Sequence, residues 1–122
     1  MSITYSYQDG VLYTAVKEQL TVKEISNYFD AVIKDPLVKN VEFELVTMEP
    51  GLEYQFSYND TTNVAQLYSR MKEAKNISRT IFVAADDSQF GMSRMLATII
   101  SEVVEVSVVR SLEEAHQLLS KK

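Results

Sequence analysis

Residues 80–95 read TIFVAADDSQFGMSRM, and the fold hangs on this stretch. Thr80 to Ala85 is an unbroken apolar run with β-branched and aromatic members, which reads as a strand buried on both faces of a parallel sheet. Asp86, Asp87 and Ser88 stop it, and Met92, Leu96, Ile99, Ile100 and Val103 then recur at helical spacing. A strand buried on both faces that passes directly into a helix is one βα step, and its neighbours on either side must be further steps of the same kind.

Upstream, Ile3, Tyr5 and Tyr7 alternate with Thr4, Ser6 and Gln8, the period of a half-buried strand. Asp9-Gly10 suits a type I′ turn, and residues 11–16 return as a second strand. Thr21 with Glu24 forms a capping box that opens a helix whose face carries Val22, Ile25, Phe29, Val32 and Ile33; Asp35-Pro36 ends it. Val41, Phe43 and Leu45 alternate with Glu42 and Glu44, so the third strand is expected to turn its two glutamates to solvent. Leu52, Tyr54, Phe56 and Tyr58 alternate within the irregular segment 48–60, which is either a short extra strand or a ribbon over the core. Residues 59–63 offer several N-caps for a second helix with Val64, Leu67, Tyr68 and Met71 on its face. Residues 106–109 form the last strand, and Ser111 with Glu114 opens a terminal helix bearing Leu112, Ala115, Leu118 and Leu119.

The expected order is ββαβαβαβα in one domain, residues 1–122. Right-handed crossovers added successively in one direction place every crossover helix on one face of the sheet. The fold class is therefore α/β, a mixed five-stranded sheet with an antiparallel N-terminal hairpin, the remaining strands parallel, and helices mainly on one face.

Composition narrows function by exclusion. The chain has 122 residues, a net charge of −5, no cysteine and one histidine. A Cys-ligated zinc, a disulfide scaffold and a thiol nucleophile are thereby ruled out. The acidic balance argues against a nucleic-acid surface. No stretch of eighteen apolar residues exists, and the polar first ten residues do not form a signal peptide, so a cytoplasmic location is expected with no membrane span.

Individual residues are weighed against ordinary structural roles. His116 lies beside the apolar face of the last helix as a boundary residue. Asp86 and Asp87 stand at a strand's carboxyl end, where ligands bind and paired carboxylates can hold Mg²⁺, but Asp87 or Ser88 as helix cap is the simpler reading. Gly91 lacks the context of a phosphate loop and is expected to let its helix approach another backbone. Met92 and Met95 are adaptable core filler or the wall of a groove, and Arg94 could meet an anion. No catalytic residue, metal site or cofactor is expected.

Two segments, IFVAADDSQFGMSRM at 81–95 and VSVVRSLEEAHQLL at 106–119, taken with the element order, resemble the STAS domain superfamily, specifically its SpoIIAA-like (STAS/SEC14-like) small bacterial proteins. The resemblance implies a non-enzymatic regulatory module. Its anti-sigma-factor antagonists bind a partner kinase and are phosphorylated at the start of the second helix. The matching positions here are Asp60, Thr61 and Thr62; the glycine of the family motif is replaced by Asn63. Two readings follow: a protein-interaction module switched by phosphate at Thr61 or Thr62, or a carrier or sensor of a small apolar molecule. In the second, Leu52, Tyr54, Phe56, Met92 and Met95 wall a pocket under residues 48–60, and Arg94 orients a headgroup; Tyr58 is a further candidate for the ligand or partner surface. A homodimer through the uncovered sheet face or the aromatic segment is also expected.

Overall fold

The computed structural model describes residues 2–120. The hairpin forms as the sequence dictates: β1 (Ile3–Gln8) pairs antiparallel with β2 (Val11–Val16). Asp9 and Gly10 both take positive φ, 51° and 82°, the combination a type I′ turn demands. A three-residue strand, β3 (Gln19–Thr21), leads into α1 (Val22–Lys34), where Thr21 accepts a hydrogen bond from the Glu24 amide. Then follow β4 (Phe43–Met48), β5 (Glu53–Gln55), α2 (Tyr58–Lys75), β6 (Arg79–Val83), α3 (Asp87–Ile100), β7 (Glu105–Val109) and α4 (Leu112–Ser120).

The main sheet has the order β1-β2-β4-β6-β7, with every pair after the hairpin parallel. Helices α1, α2 and α3 bury one face through Phe29, Val32, Val64, Met71, Leu96 and Ile100. Helix α4 lies on the other face, where Ala115, Leu118 and Leu119 pack with Phe43, Leu45, Ile81 and Val83. The ribbon expected at 48–60 is a small sheet of its own: β5 pairs parallel with β3, Leu20 opposite Tyr54.

Four local expectations are corrected. The third strand of the main sheet runs from Phe43 to Met48 rather than 41–45, and Glu44 is wholly buried instead of solvated. Helix α2 starts earlier than residues 59–63, because Ser57 is the N-cap and Asp60 completes its capping box. The cap of α3 is Asp86, which accepts from the Gln89 amide at 2.7 Å, and neither Asp87 nor Ser88 serves. Gly91 meets no close neighbour: a Cβ built there would have nothing within 4 Å.

Candidate functional site

Because β4 is the middle strand, both of its faces are covered from Phe43 to Val46. Phe43 and Leu45 point toward α4, whereas Glu44 and Val46 point into the three-helix side. Glu44 is thus a carboxylate inside the core, and three elements supply its partners. Tyr28 of α1 donates to Oε2 at 2.6 Å; Tyr68 of α2 and Thr80 of β6 donate to Oε1 at 2.7 and 2.9 Å. Thr14 of β2 stands 2.6 Å from the Tyr28 hydroxyl and extends the network. Desolvation raises the Glu44 pKa, and the three hydroxyl donors offset part of that by favouring the charged form. Both phenols are held well above their ordinary range, first by burial and then by the adjacent carboxylate. The aromatic rings pack around the acid, with Phe29 4.9 Å from both Tyr28 and Tyr68.

Beside this cluster lies a cavity of about 30 Å³. Glu44, Tyr28, Thr14 and Ser93 border it among otherwise mostly apolar walls, and Leu20, Met48 and Tyr54 bring the β3–β5 ribbon and the end of β4 to it. Gln89, also buried, fastens α3 to the loop before that ribbon by donating from Nε2 to the Glu49 carbonyl at 2.7 Å.

The residues singled out from sequence are dispersed. Leu52 is buried, and Tyr54, Phe56 and Met92 are partly buried against the main core, but only Tyr54 borders the cavity. The backbone of Tyr58 opens α2; its side chain lies outside the described residues. Met95 and Arg94 face solvent, Arg94 with its guanidinium 5.8 Å from the Phe90 ring centre. Asp60 is committed to the capping box. Thr61, at 2% exposure, is closed off from solvent, so Thr62 is the one of the two candidate hydroxyl residues that is exposed. The Asp86–Asp87 pair diverges, since Asp87 meets Arg110 at 2.9 Å while Asp86 caps α3. His116 is exposed on α4.

Sequence reasoning missed Glu44 by treating alternation as evidence of a wet face. The element order puts this strand at the centre of the sheet, where one face must lie under the crossover helices, but alternation does not say which of its residues take that face. Tyr28 and Tyr68 each fall on the apolar face of a helix, so their hydroxyls needed buried partners.

The chain matches no family model and no curated protein. Among solved structures it is similar to an uncharacterized protein of the DUF3478 family with a SpoIIAA-like fold from Shewanella loihica PV-4. The two superpose with a TM-score of 0.56 over 96% of this chain and 91% of that one, at 13% identity. The fold is SpoIIAA-like. Within this SpoIIAA-like frame, no described helix is long and apolar enough to cross a membrane, and no three metal-ligating side chains gather among the described residues.

Proposed function

We propose that this protein is a non-catalytic regulatory module that docks a protein partner over the outer face of its sheet. The observation that carries this reading is a groove of about 430 Å³ between α4 and the outer faces of β1, β2 and β4. Helix α4 packs on β6 and β7, which leaves Thr4, Ser6, Tyr13 and Thr47 open on one side and Leu112 and His116 on the other. Four large apolar side chains are exposed among the described residues, and two of them, Tyr13 at 36% and Leu112 at 49%, border this one groove. Aromatic and aliphatic anchors within a polar rim are the usual make-up of a protein-docking surface. The aromatic segment 52–58 is less suited to that role, because Leu52, Tyr54 and Phe56 pack against the core. Phosphate control remains part of the proposal through Thr62, in the first turns of α2.

A photo-cross-linking residue placed at Tyr13 in the native cell, with a control at the exposed Glu73 of α2, tests the surface. Adducts at position 13 that disappear with Leu112→Asp and are missing at position 73 are expected. Their mass separates a second copy of the chain from a different protein. Equal labelling at both positions overturns the proposal.

A second reading, binding of a small molecule, is favoured by the cavity beside Glu44.

A further inference from the structure

We propose that the outer edge of β7, together with the groove between it and α3, is a strand-addition site for an extended acidic segment of another protein. It lies at the opposite side of the sheet from the docking groove over β1, β2 and β4 and does not depend on it. The first ground is the backbone. Strand β7 ends the main sheet and pairs only with β6. The Glu105 amide donates to the Ser78 carbonyl at 3.3 Å, and the Ala84 amide donates to the Val109 carbonyl at 2.8 Å. In a parallel ladder this fixes Glu105, Ser107 and Val109 as the residues whose backbone faces β6, so the N–H and C=O groups of Val106 and Val108 point outward. The strand carries no lysine or proline to discourage a further strand there.

The second ground is the groove itself, about 390 Å³ beside Val106 and Val108, with Phe90, Arg94, Ala97 and Thr98 of α3 as its other wall. Both valines are half-buried on the three-helix side of the sheet. An added strand sets every second side chain into this groove, which is how main-chain pairing acquires a sequence preference. The opposite edge offers less room. Tyr5 and Tyr7 occupy the helix side of β1, their hydroxyls donating to Asp35 Oδ2 and to the Asn40 carbonyl.

Charge sets the occupant. Arg94 is the charged side chain in the groove wall; it is exposed and forms no ion pair among the described residues. Arg110 stands at the same end, so that two guanidinium groups flank the Phe90 ring, at 4.0 Å for Arg110 and 5.8 Å for Arg94. Arg110 already has Asp87 at 2.9 Å, whereas Arg94 is left for a carboxylate on the incoming strand. In a chain of net charge −5 this cationic end is a local exception that selects an acidic partner. A second β7, added antiparallel about a two-fold axis, brings Val106 and Val108 to that side and no carboxylate, so a different chain fits better.

The test is a selection of random linear peptides, displayed on phage, against the full chain, followed by amide hydrogen exchange with the resynthesised binders. Peptides that alternate β-branched residues with an Asp or Glu in the same register are expected, with new protection at the amides of Val106 and Val108. Arg94→Glu, a change at an exposed residue, should weaken those peptides roughly tenfold, as loss of a hydrogen bond to a charged group would. A selection repeated on that variant should enrich Lys or Arg where the acid stood. Val106→Pro removes one outward N–H, leaves the bonds to β6 and should abolish binding; Arg94→Glu keeps the test decisive if the proline variant does not fold. No enriched peptide, enrichment without acidic residues, protection at Tyr13 rather than at β7, or an affinity untouched by Arg94→Glu overturns the proposal. Protection of Val106 and Val108 that rises with the concentration of the chain alone overturns it in favour of a second copy.

Discussion

The Tyr28 hydroxyl donates to Glu44 Oε2 across 2.6 Å in a part of the core closed to water. The contact joins α1 to the central strand, and the Tyr68 bond joins α2 to the same carboxylate. One acid thus holds two helices in register on the sheet. An apolar residue at position 44 would take the carboxylate acceptor from both phenols, so the cluster acts as a unit.

Tyr28→Phe and Tyr68→Phe each remove one donor from a buried carboxylate without opening a large void. Each is expected to cost about 1.5–3 kcal/mol of stability, measured by urea unfolding. The double variant should depart from additivity, because both phenols serve one acid. Losses near zero would show that Glu44 does not depend on them.

Stability should fall with rising pH through the Glu44 titration. Its pKa in the folded protein is raised above the ordinary value of 4.5, so between those two values the folded state binds more protons than the unfolded chain. The contribution of Glu44 is therefore fully present below about 4.5 and is lost as pH rises through the folded pKa. Subtracting the unfolding curve of Glu44→Gln from that of the native chain at successive pH values isolates this slope. A native advantage that grows with pH from 4.5 upward would refute it.

The two neighbouring aspartates should separate cleanly. Asp86→Ala removes the cap of α3 and is expected to cost about 1 kcal/mol. Asp87→Ala removes only an ion pair to Arg110 in which the Asp87 side chain is 97% exposed, and should cost less than about 0.5 kcal/mol. Thermal unfolding of the two variants decides the matter, and the reverse ranking would contradict the capping assignment.

Gly91→Ala should stabilise the protein by about 0.5–1 kcal/mol. The position lies within α3, the new Cβ meets nothing within 4 Å, and alanine loses less backbone entropy in a helix. A lower unfolding midpoint would mean that the glycine serves something other than the fold.

Amide exchange should reveal the β3–β5 ribbon as the first part of the sheet structure to open. Its strands have three residues each and stand apart from the main sheet, whereas β4 is paired on both sides. Residues 19–21 and 53–55 are expected to exchange faster than residues 43–47 by native-state hydrogen exchange. Equal protection would place the ribbon in the global unfolding unit.

The sequence by itself determined the hairpin, the order of the main strands and the helices between them. Asp9-Gly10 permits the positive φ pair, Asp35-Pro36 stops α1, and the apolar run at 80–85 requires a strand covered on both sides; each is a local rule acting within a few residues. The strand order then followed from connection rules. What only the tertiary structure decided was which polar groups went inside. Glu44 looked like any residue of an alternating strand, and its burial depends on hydroxyls 16 positions before it and 24 and 36 positions after it. Thr61 and Thr62 were equivalent as letters until an N-cap at Ser57 fixed the phase of α2 and turned one inward and the other out. Alternation and spacing specify which residues share a face. Whether that face meets water or another layer is set by distant elements, and for a buried acid only the partners they supply make the burial tolerable.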